Sequence, residues 1–405
     1  MFLLTPRVIE TSAAASLAEG TKKKMHRTRL PIMIVALVVA IGCLVRAATS
    51  SPTVTVVQLD AQTADKSATA EAKATLRELA HYTCEPNAGI LSGQNIGVAG
   101  QELRSKYRRT WHKLVSKRKC PTPAIMTVDL ESKIPRQPSF IAQLQKHVAR
   151  GGFVGMSMHP PNPWTSKSSW DVNNVSYEEL TTPGSRANKR YQKWLRQVAD
   201  ILEELQKRNV TVLWRPLHEA NGDWFWWGYG GANPGLTPEQ YKALWRSLFQ
   251  YFVEERGLHN LLWVYSSNVT TGHEVVRFDN AYPGGNYVDV VALDYYGDRL
   301  SAMRADYKTL GSFGKVVALS EYGPKSNSGG QLSAEAWLST MKSEFPAFAY
   351  FCSWHSWPNN SVALADHEQA PQLLNDPFVV NLEDIVKQRS EQASCDPANV
   401  GLSSE

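Results

Sequence analysis

Eight short apolar, β-branched runs recur along this chain, with helix-forming segments between several of them. The runs are "AGILSGQ" (88–94), "AIMTVDL" (124–130), "GFVGMSMH" (152–159), "VTVLWRPLHE" (210–219), "NLLWVYSSN" (260–268), "VDVVALDYYG" (288–297), "KVVALSEYG" (315–323) and "FAYFCSWHS" (348–356). Helices are predicted over 139–151, 190–209, 237–257 and 333–345, and another over 70–83 ahead of the first run. Thr237 and Gln240 have capping-box spacing with Pro238 at the first helical position, and Gly257 is placed as the stop. Strands alternating with helices require a parallel sheet. Eight of them predict an α/β fold of the closed (β/α)8 TIM-barrel type, one domain over 79–390. A doubly wound open sheet is the alternative, but no glycine-rich phosphate turn follows the first run. Gln94, Asp129, His159, Glu219, Asn268, Asp294 and Glu321 all fall at or near the C-terminal end of a run. In a barrel that end carries the functional residues.

The flanks read differently. Leu30–Val45 is a 16-residue, nearly unbroken apolar run preceded by "KKKMHRTR" and ending in Val45, Arg46, Ala47. A basic region, a short apolar core and a small-residue site describe a secretory signal; the run is short for a membrane span of about 20 residues. Residues 1–47 are therefore expected to be a leader starting in effect at Met25, making the protein secreted, with an uncleaved membrane anchor as the rival; Cys43 is a weaker lipidation candidate. Small polar residues over 48–78 suggest a linker that runs into the 70–83 helix, and 391–405 a tail. The formal net charge of +5 belongs wholly to the leader, which holds seven basic and two acidic groups, leaving 36 of each sign beyond it. A neutral remainder argues against a nucleic-acid partner. The basic run "KYRRTWHKLVSKRK" (106–119) spaces Tyr107, Trp111, Leu114 and Val115 at helical intervals and is expected to be a helix with a solvated basic face. Beyond the leader Cys84, Cys120, Cys352 and Cys395 remain, an even number that in an exported chain predicts two disulfides in one of three pairings. Four glycosylation sequons begin at Asn174, Asn209, Asn268 and Asn359.

The most constrained stretch is "LWRPLHEANGDWFWWGYG" (213–230), which sets an arginine, a histidine and a glutamate beside four tryptophans. Two-residue alternation would put Leu213, Arg215, Leu217 and Glu219 on one strand face, with Glu219 at the barrel mouth and Arg215 below it. A buried arginine needs an anionic partner, and Glu321, at the end of the seventh run, could supply it. Two carboxyl groups in divergent environments are what glycosidic cleavage uses: one protonates the departing oxygen, the other attacks the sugar or activates water. Flat rings bind the apolar faces of sugars, so Trp224 is expected in a cleft with Trp226 or Trp227 packed beneath it, and Trp164 and Trp170 are further candidates for that cleft.

At these residues the sequence closely resembles glycoside hydrolase family 26, best known for endo-β-1,4-mannanases. The likeness runs over about residues 80–390, through "RPLHEANGDWFWWG" (215–228), "ILSGQ" (90–94), "MHPPNP" (158–163), "LWVYSSN" (262–268), "DYYG" (294–297) and "SEYG" (320–323). The resemblance implies a retaining mechanism without metal or other cofactor. It implies Glu219 as acid/base and Glu321 as nucleophile, with His159, His218, Trp224, Asp294, Tyr296 and Trp354 around the substrate, Tyr296 bonding the nucleophile and Trp354 stacking on the sugar at the cleavage point. Arg215 is expected in support. The partner is then a β-mannan-type polysaccharide, and the chain is expected to act as a monomer. His355, where many mannanases carry arginine, and Ala220, where methionine is common, are departures that bear on subsite preference. The family's β-1,3-xylanases and mixed-linkage glucanases give the alternative substrates. A catalytically dead carbohydrate-binding barrel is the alternative of another class, and it would keep the tryptophans and lose a glutamate. No His-x-x-x-His or clustered cysteine pattern suggests a metal, and no Gly-x-Ser-x-Gly suggests a serine hydrolase.

Overall fold

The computed structural model describes residues 59, 61–85, 87–98, 108–131, 140–231, 235–271, 275–324 and 331–394. The expected leader with its start at Met25, residues 48–58 and 60 of the linker, Lys106 and Tyr107 of the basic run, and Cys395 with the tail beyond it lie outside the described residues.

Eight parallel strands close on themselves: β1 (Gly93–Val98), β2 (Ile125–Leu130), β3 (Phe153–Met158), β4 (Val212–Arg215), β5 (Leu261–Asn268), β6 (Val290–Tyr296), β7 (Val316–Gly323) and β8 (Phe348–Ser353). Each pairs with the next, and the ring closes where Gln94 of β1 meets Ser353 of β8. The predicted TIM barrel therefore forms. A two-residue pair, Ile90–Leu91 with Val379–Val380, extends it below β1.

The predicted helices form as α1 (Ala70–Cys84), α2 (Phe140–Ala149), α3 (Arg186–Gln206), α4 (Pro238–Phe249), α5 (Arg304–Gly311), α6 (Ala334–Glu344) and α7 (Leu382–Ser394), α5 and α7 being additions to the sequence reading. The Thr237–Gln240 capping box is present, and Gly257, at φ +64°, ends the wider helical turn that continues α4. The basic run is helical over Arg108–Lys117, burying Trp111 and Leu114 while Lys113 pairs with Asp366.

Helix α1 is not a prelude to the domain. Its Ala72, Leu76 and Leu79 pack on Leu213, Leu262, Ala292 and Ala318 inside the strand starts, closing the floor of the barrel. Ahead of it the Ala64 amide donates to Asp289, and Asp65 bonds the His259 ring at 2.7 Å. The boundary placed at residue 79 therefore moves back to about residue 61. Those polar residues read as linker because their partners lie some two hundred positions away.

The two-disulfide expectation fails. Cys84, Cys120 and Cys352 are free thiols, and any two-bridge pairing of the four cysteines must join two of these three. Cys120 and Cys352 are buried, where the thiol behaves as a small apolar group. Of the sequons, Asn174, Asn209 and Asn359 are exposed, whereas Asn268 is buried. Among the described residues, no helix is long and apolar enough to cross a membrane.

Candidate active site

The barrel interior changes character from floor to mouth. On β5 the inward positions run Leu262, Val264, Ser266, Asn268; on β6 they run Val290, Ala292, Asp294, Tyr296. The polar ends converge on Arg215, the last residue of β4. Its guanidinium donates to Asp294 Oδ2 at 2.9 Å and to Glu321 Oε1, and lies 5.3 Å from the centre of the Trp354 ring. Arg215, Asp294 and Glu321 are all buried.

Glu321 reaches this point through a bulge. Leu293 pairs with Leu319 but Asp294 pairs with Glu321, so Ser320 is an extra residue in β7. The bulge lets two consecutive side chains enter the barrel. Ser320 Oγ donates to Asp294 Oδ1 at 2.8 Å and contacts Ser266 Oγ at 2.7 Å, while Glu321 takes Arg215 on one oxygen and the Tyr296 hydroxyl, at 2.6 Å, on the other.

Glu219 arrives by a different route from the one alternation suggested. β4 stops at Arg215 because Pro216 has no N–H for the ladder. The chain then enters a tight turn in which Leu217 (φ +46°) and Glu219 (φ +52°) both adopt the left-handed conformation. Leu217 is buried in the core and does not share a face with Glu219. Non-glycine residues in this region are costly and persist where the surroundings enforce them. Here the enforcement is visible: the Glu219 amide donates to Ser266 O at 3.0 Å, the Tyr241 hydroxyl donates to Leu217 O at 3.0 Å, and the Glu219 carboxylate accepts Trp224 Nε1 at 2.9 Å and Asn268 Nδ2 at 3.0 Å. Gly222 makes room for Trp224, since a Cβ there would lie 2.3 Å from the ring.

Three buried carboxyl groups thus share one buried cation. Burial, reinforced by the charges of Glu321 and Asp294, pushes Glu219 up to about 8. Burial and Glu321, opposed by Arg215, bring Asp294 to about 7. Arg215 stays charged: burial works against it, but Asp294 and Glu321 outweigh that and raise it further. Glu219, which has no direct bond to the guanidinium, is held above Asp294 and so favours its acid form more strongly.

The rim completes the site. His218 Nε2 lies 3.7 Å from Glu321 Oε1, too far for a hydrogen bond, and burial together with Arg215 keeps the ring neutral. His159 stands edge-on to it at 4.6 Å and bonds Asp129 at 2.6 Å; burial opposes its charge, but the Asp129 carboxylate prevails and raises it. Phe225 contacts both histidines and stacks on Trp227 at 4.4 Å. Trp226 and Trp227 are fully buried, their indoles donating to Pro160 O and His218 O, so both pack beneath. Trp164 is buried against Trp226 and does not face the opening. Trp170 is 60% exposed and leans on Phe225 at the rim. His355 bonds Asn95 Oδ1 at 2.8 Å and flanks Trp354.

Arg215, Glu219, Glu321, His159, His218, Trp224, Asp294, Tyr296 and Trp354 therefore lie in or against one cluster at the C-terminal mouth, whereas the cleft candidate Trp164 does not. Asn221, Phe225 and the Ser320 bulge were missed, and Asn268 was noticed as a polar strand end and a sequon but not as a site residue. Among the described residues, no group of three or more His, Cys, Asp or Glu is placed to hold a metal ion.

A barrel whose mouth sets a carboxyl group raised to about 8 and an ion-paired carboxylate among tryptophans has the constellation of a glycoside hydrolase. The family model described as Glycosyl hydrolase family 26 matches residues 65–384, and the chain belongs to that family. It is 36% identical over 252 residues to Mannan endo-1,4-beta-mannosidase A and B of Caldalkalibacillus mannanilyticus, a match covering 60% of this chain and 47% of that one. It is 33% identical over 239 residues to a Bacillus subtilis mannan endo-1,4-beta-mannosidase, covering 58% and 64%. The chain thus spans about half to two thirds of the length of these relatives. The solved structure of the Bacillus subtilis mannanase man26 superposes with a TM-score of 0.67 at 26% identity, covering 79% of this chain and 95% of that one.

Proposed function

We propose that this protein is a retaining, endo-acting glycoside hydrolase that cleaves β-1,4-mannosidic bonds in mannan, galactomannan or glucomannan by double displacement. The observation that carries the reading is the division of labour between two buried glutamates. Glu219 is held up to about 8 and kept off the guanidinium, while Glu321 is bonded by Arg215 and Tyr296. Membership of the family and the activity named for its relatives support mannan as substrate.

In the first step Glu321 attacks the anomeric carbon, the bond to the departing sugar breaks, and Glu219 gives that oxygen its proton. This leaves a glycosyl ester on Glu321 and a carboxylate at Glu219. In the second step Glu219 takes a proton from water, the water oxygen attacks the anomeric carbon from the opposite face, and the ester bond breaks to free Glu321. Two inversions restore the starting configuration. Arg215 and Tyr296 each bond one oxygen of the nucleophile and orient it, and Asp294 holds Arg215. Trp354, backed by the Arg215 guanidinium, offers its face to the sugar being cleaved; neutral His218 and the Asp129-bonded His159 flank that sugar, and Trp224 stands beside the leaving group.

The leader reading adds that the enzyme is secreted, which N-terminal sequencing of protein recovered from culture medium would test. Assays on β-mannan, β-1,3-xylan and mixed-linkage β-glucan test the substrate. Preferential cleavage of mannan to oligosaccharides is expected. Preference for either other glycan would move the substrate within the family, and binding without turnover on all three would favour an inactive barrel.

A further inference from the structure

The end of β5 grips the turn that carries Glu219 at four points. Ser266 O takes the Glu219 amide at 3.0 Å. The Asn268 backbone is clamped by one side chain, receiving from Asn221 Nδ2 on its carbonyl at 2.8 Å and giving its amide to Asn221 Oδ1 at 2.9 Å. The Asn268 side chain then donates Nδ2 to Glu219 Oε1 at 3.0 Å. Its own Oδ1 is buried and has no hydrogen-bond partner among the described residues. With its backbone fixed at both ends and its oxygen unused, the only bond this amide makes through its side chain among the described residues is to Glu219.

We infer that Asn268 is a positioning residue for the acid/base: its amide holds Glu219 Oε1 and stabilises the carboxylate that must exist between the two displacements. The inference rests on the role given to Glu219 above. Each Glu219 oxygen has one N–H donor, Trp224 on Oε2 and Asn268 on Oε1. Both bonds favour the ionised form, against burial and the neighbouring carboxylates, which favour the acid. A residue that works as acid in one step and base in the next needs that opposition. Trp224 also walls the cleft, so its removal would change more than proton affinity. Asn268 sits behind Glu219, and its removal isolates the effect.

The test compares Asn268→Ala with the wild type on β-mannan and on an aryl β-mannobioside whose dinitrophenolate leaving group departs without a proton. The polysaccharide rate should fall by at least about tenfold, the equivalent of one hydrogen bond to a charged group. The bond-breaking step on the aryl substrate, read as the pre-steady-state burst, should change by less than about threefold. The alkaline limb of kcat/KM on mannan should move up by about one pH unit, because the carboxylate has lost a donor. Should the alanine variant fail to fold, Asn268→Asp keeps the shape and faces Glu219 with a second carboxyl group, and it should move the limb further in the same direction. Equal losses on both substrates with an unmoved limb would overturn the inference while leaving the glycosidase reading intact. A wild type that cleaves no β-glycan would instead remove the reading on which it rests.

Discussion

Two buried aspartates five residues apart bracket most of strand β6, and they live in different chemistries. Asp289, just before the strand begins, sits at the barrel floor, one oxygen taking the Ala64 amide at 2.6 Å and the other the Trp263 amide at 2.7 Å. Asp294, near the strand's end, meets a guanidinium and a hydroxyl that belong to the mouth. The floor aspartate accepts from two backbone amides, with Lys315 as a nearby opposite charge, and its work is to staple the N-terminal segment across the barrel. The mouth aspartate shares the Arg215 guanidinium with Glu321, so the two carboxyl groups are coupled. Burial alone does not mark a functional carboxylate; what separates the two is whether the hydrogen bonds come from backbone amides or from side chains that also bond Glu321 or its neighbours.

This contrast can be broken from the mouth downward. Glu321→Ala should have the largest effect, lowering turnover at least about 10⁴-fold while oligosaccharide binding persists by calorimetry; unchanged turnover would refute the nucleophile assignment. Glu219→Gln should cost about 10²–10⁴-fold on mannan, and in the wild type the alkaline limb of activity should fall near 8, where Glu219 loses its proton. Asp294→Asn should lower kcat by roughly 10- to 100-fold, the cost of about one charged hydrogen bond. It should also move that limb to lower pH, because removing a neighbouring negative charge makes Glu219 easier to ionise. Asp289→Asn is the control at the floor. It turns one acceptor into a donor facing a backbone N–H, so it should cost about 1–3 kcal/mol of stability and leave kcat per folded molecule unchanged. Burial raises Asp289 to about 6 in the folded state, so its contribution is complete below the ordinary aspartate range and is lost as pH rises through 6. The variant should flatten that part of the curve of melting temperature against pH. The smallest effect concerns the thiols: native protein should expose Cys84 to a thiol reagent, Cys120 and Cys352 should react only on unfolding, and reductant should leave activity unchanged.

Much of the fold was legible because period and punctuation are local. The eight runs, the Thr237 cap and the Gly257 stop need only neighbouring residues to act. The site residues were legible for a related reason: polar groups at strand ends are hard to attribute to packing, and the resemblance around 215–228 fixed their identities. What escaped depends on distant partners. Residues 61–69 look like linker until Asp289 and His259 are placed against them. Glu219 was assigned to a pleated strand, whereas Pro216 ends that strand and a left-handed turn delivers the carboxylate. The bulge at Ser320 leaves no local trace, since it exists only as a register against β6. The even cysteine count suggested bridges that the separate placement of Cys84, Cys120 and Cys352 does not form.

Double displacement across the mouth is the centre of this account, and the anomeric configuration of the first-formed product tests it most directly. Proton NMR of mannan-derived oligosaccharides, recorded before mutarotation, should show the β-anomer appearing first and relaxing to the equilibrium mixture. An α-anomer at the earliest times would mean a single displacement by water, and would contradict the assignment of Glu321 as nucleophile.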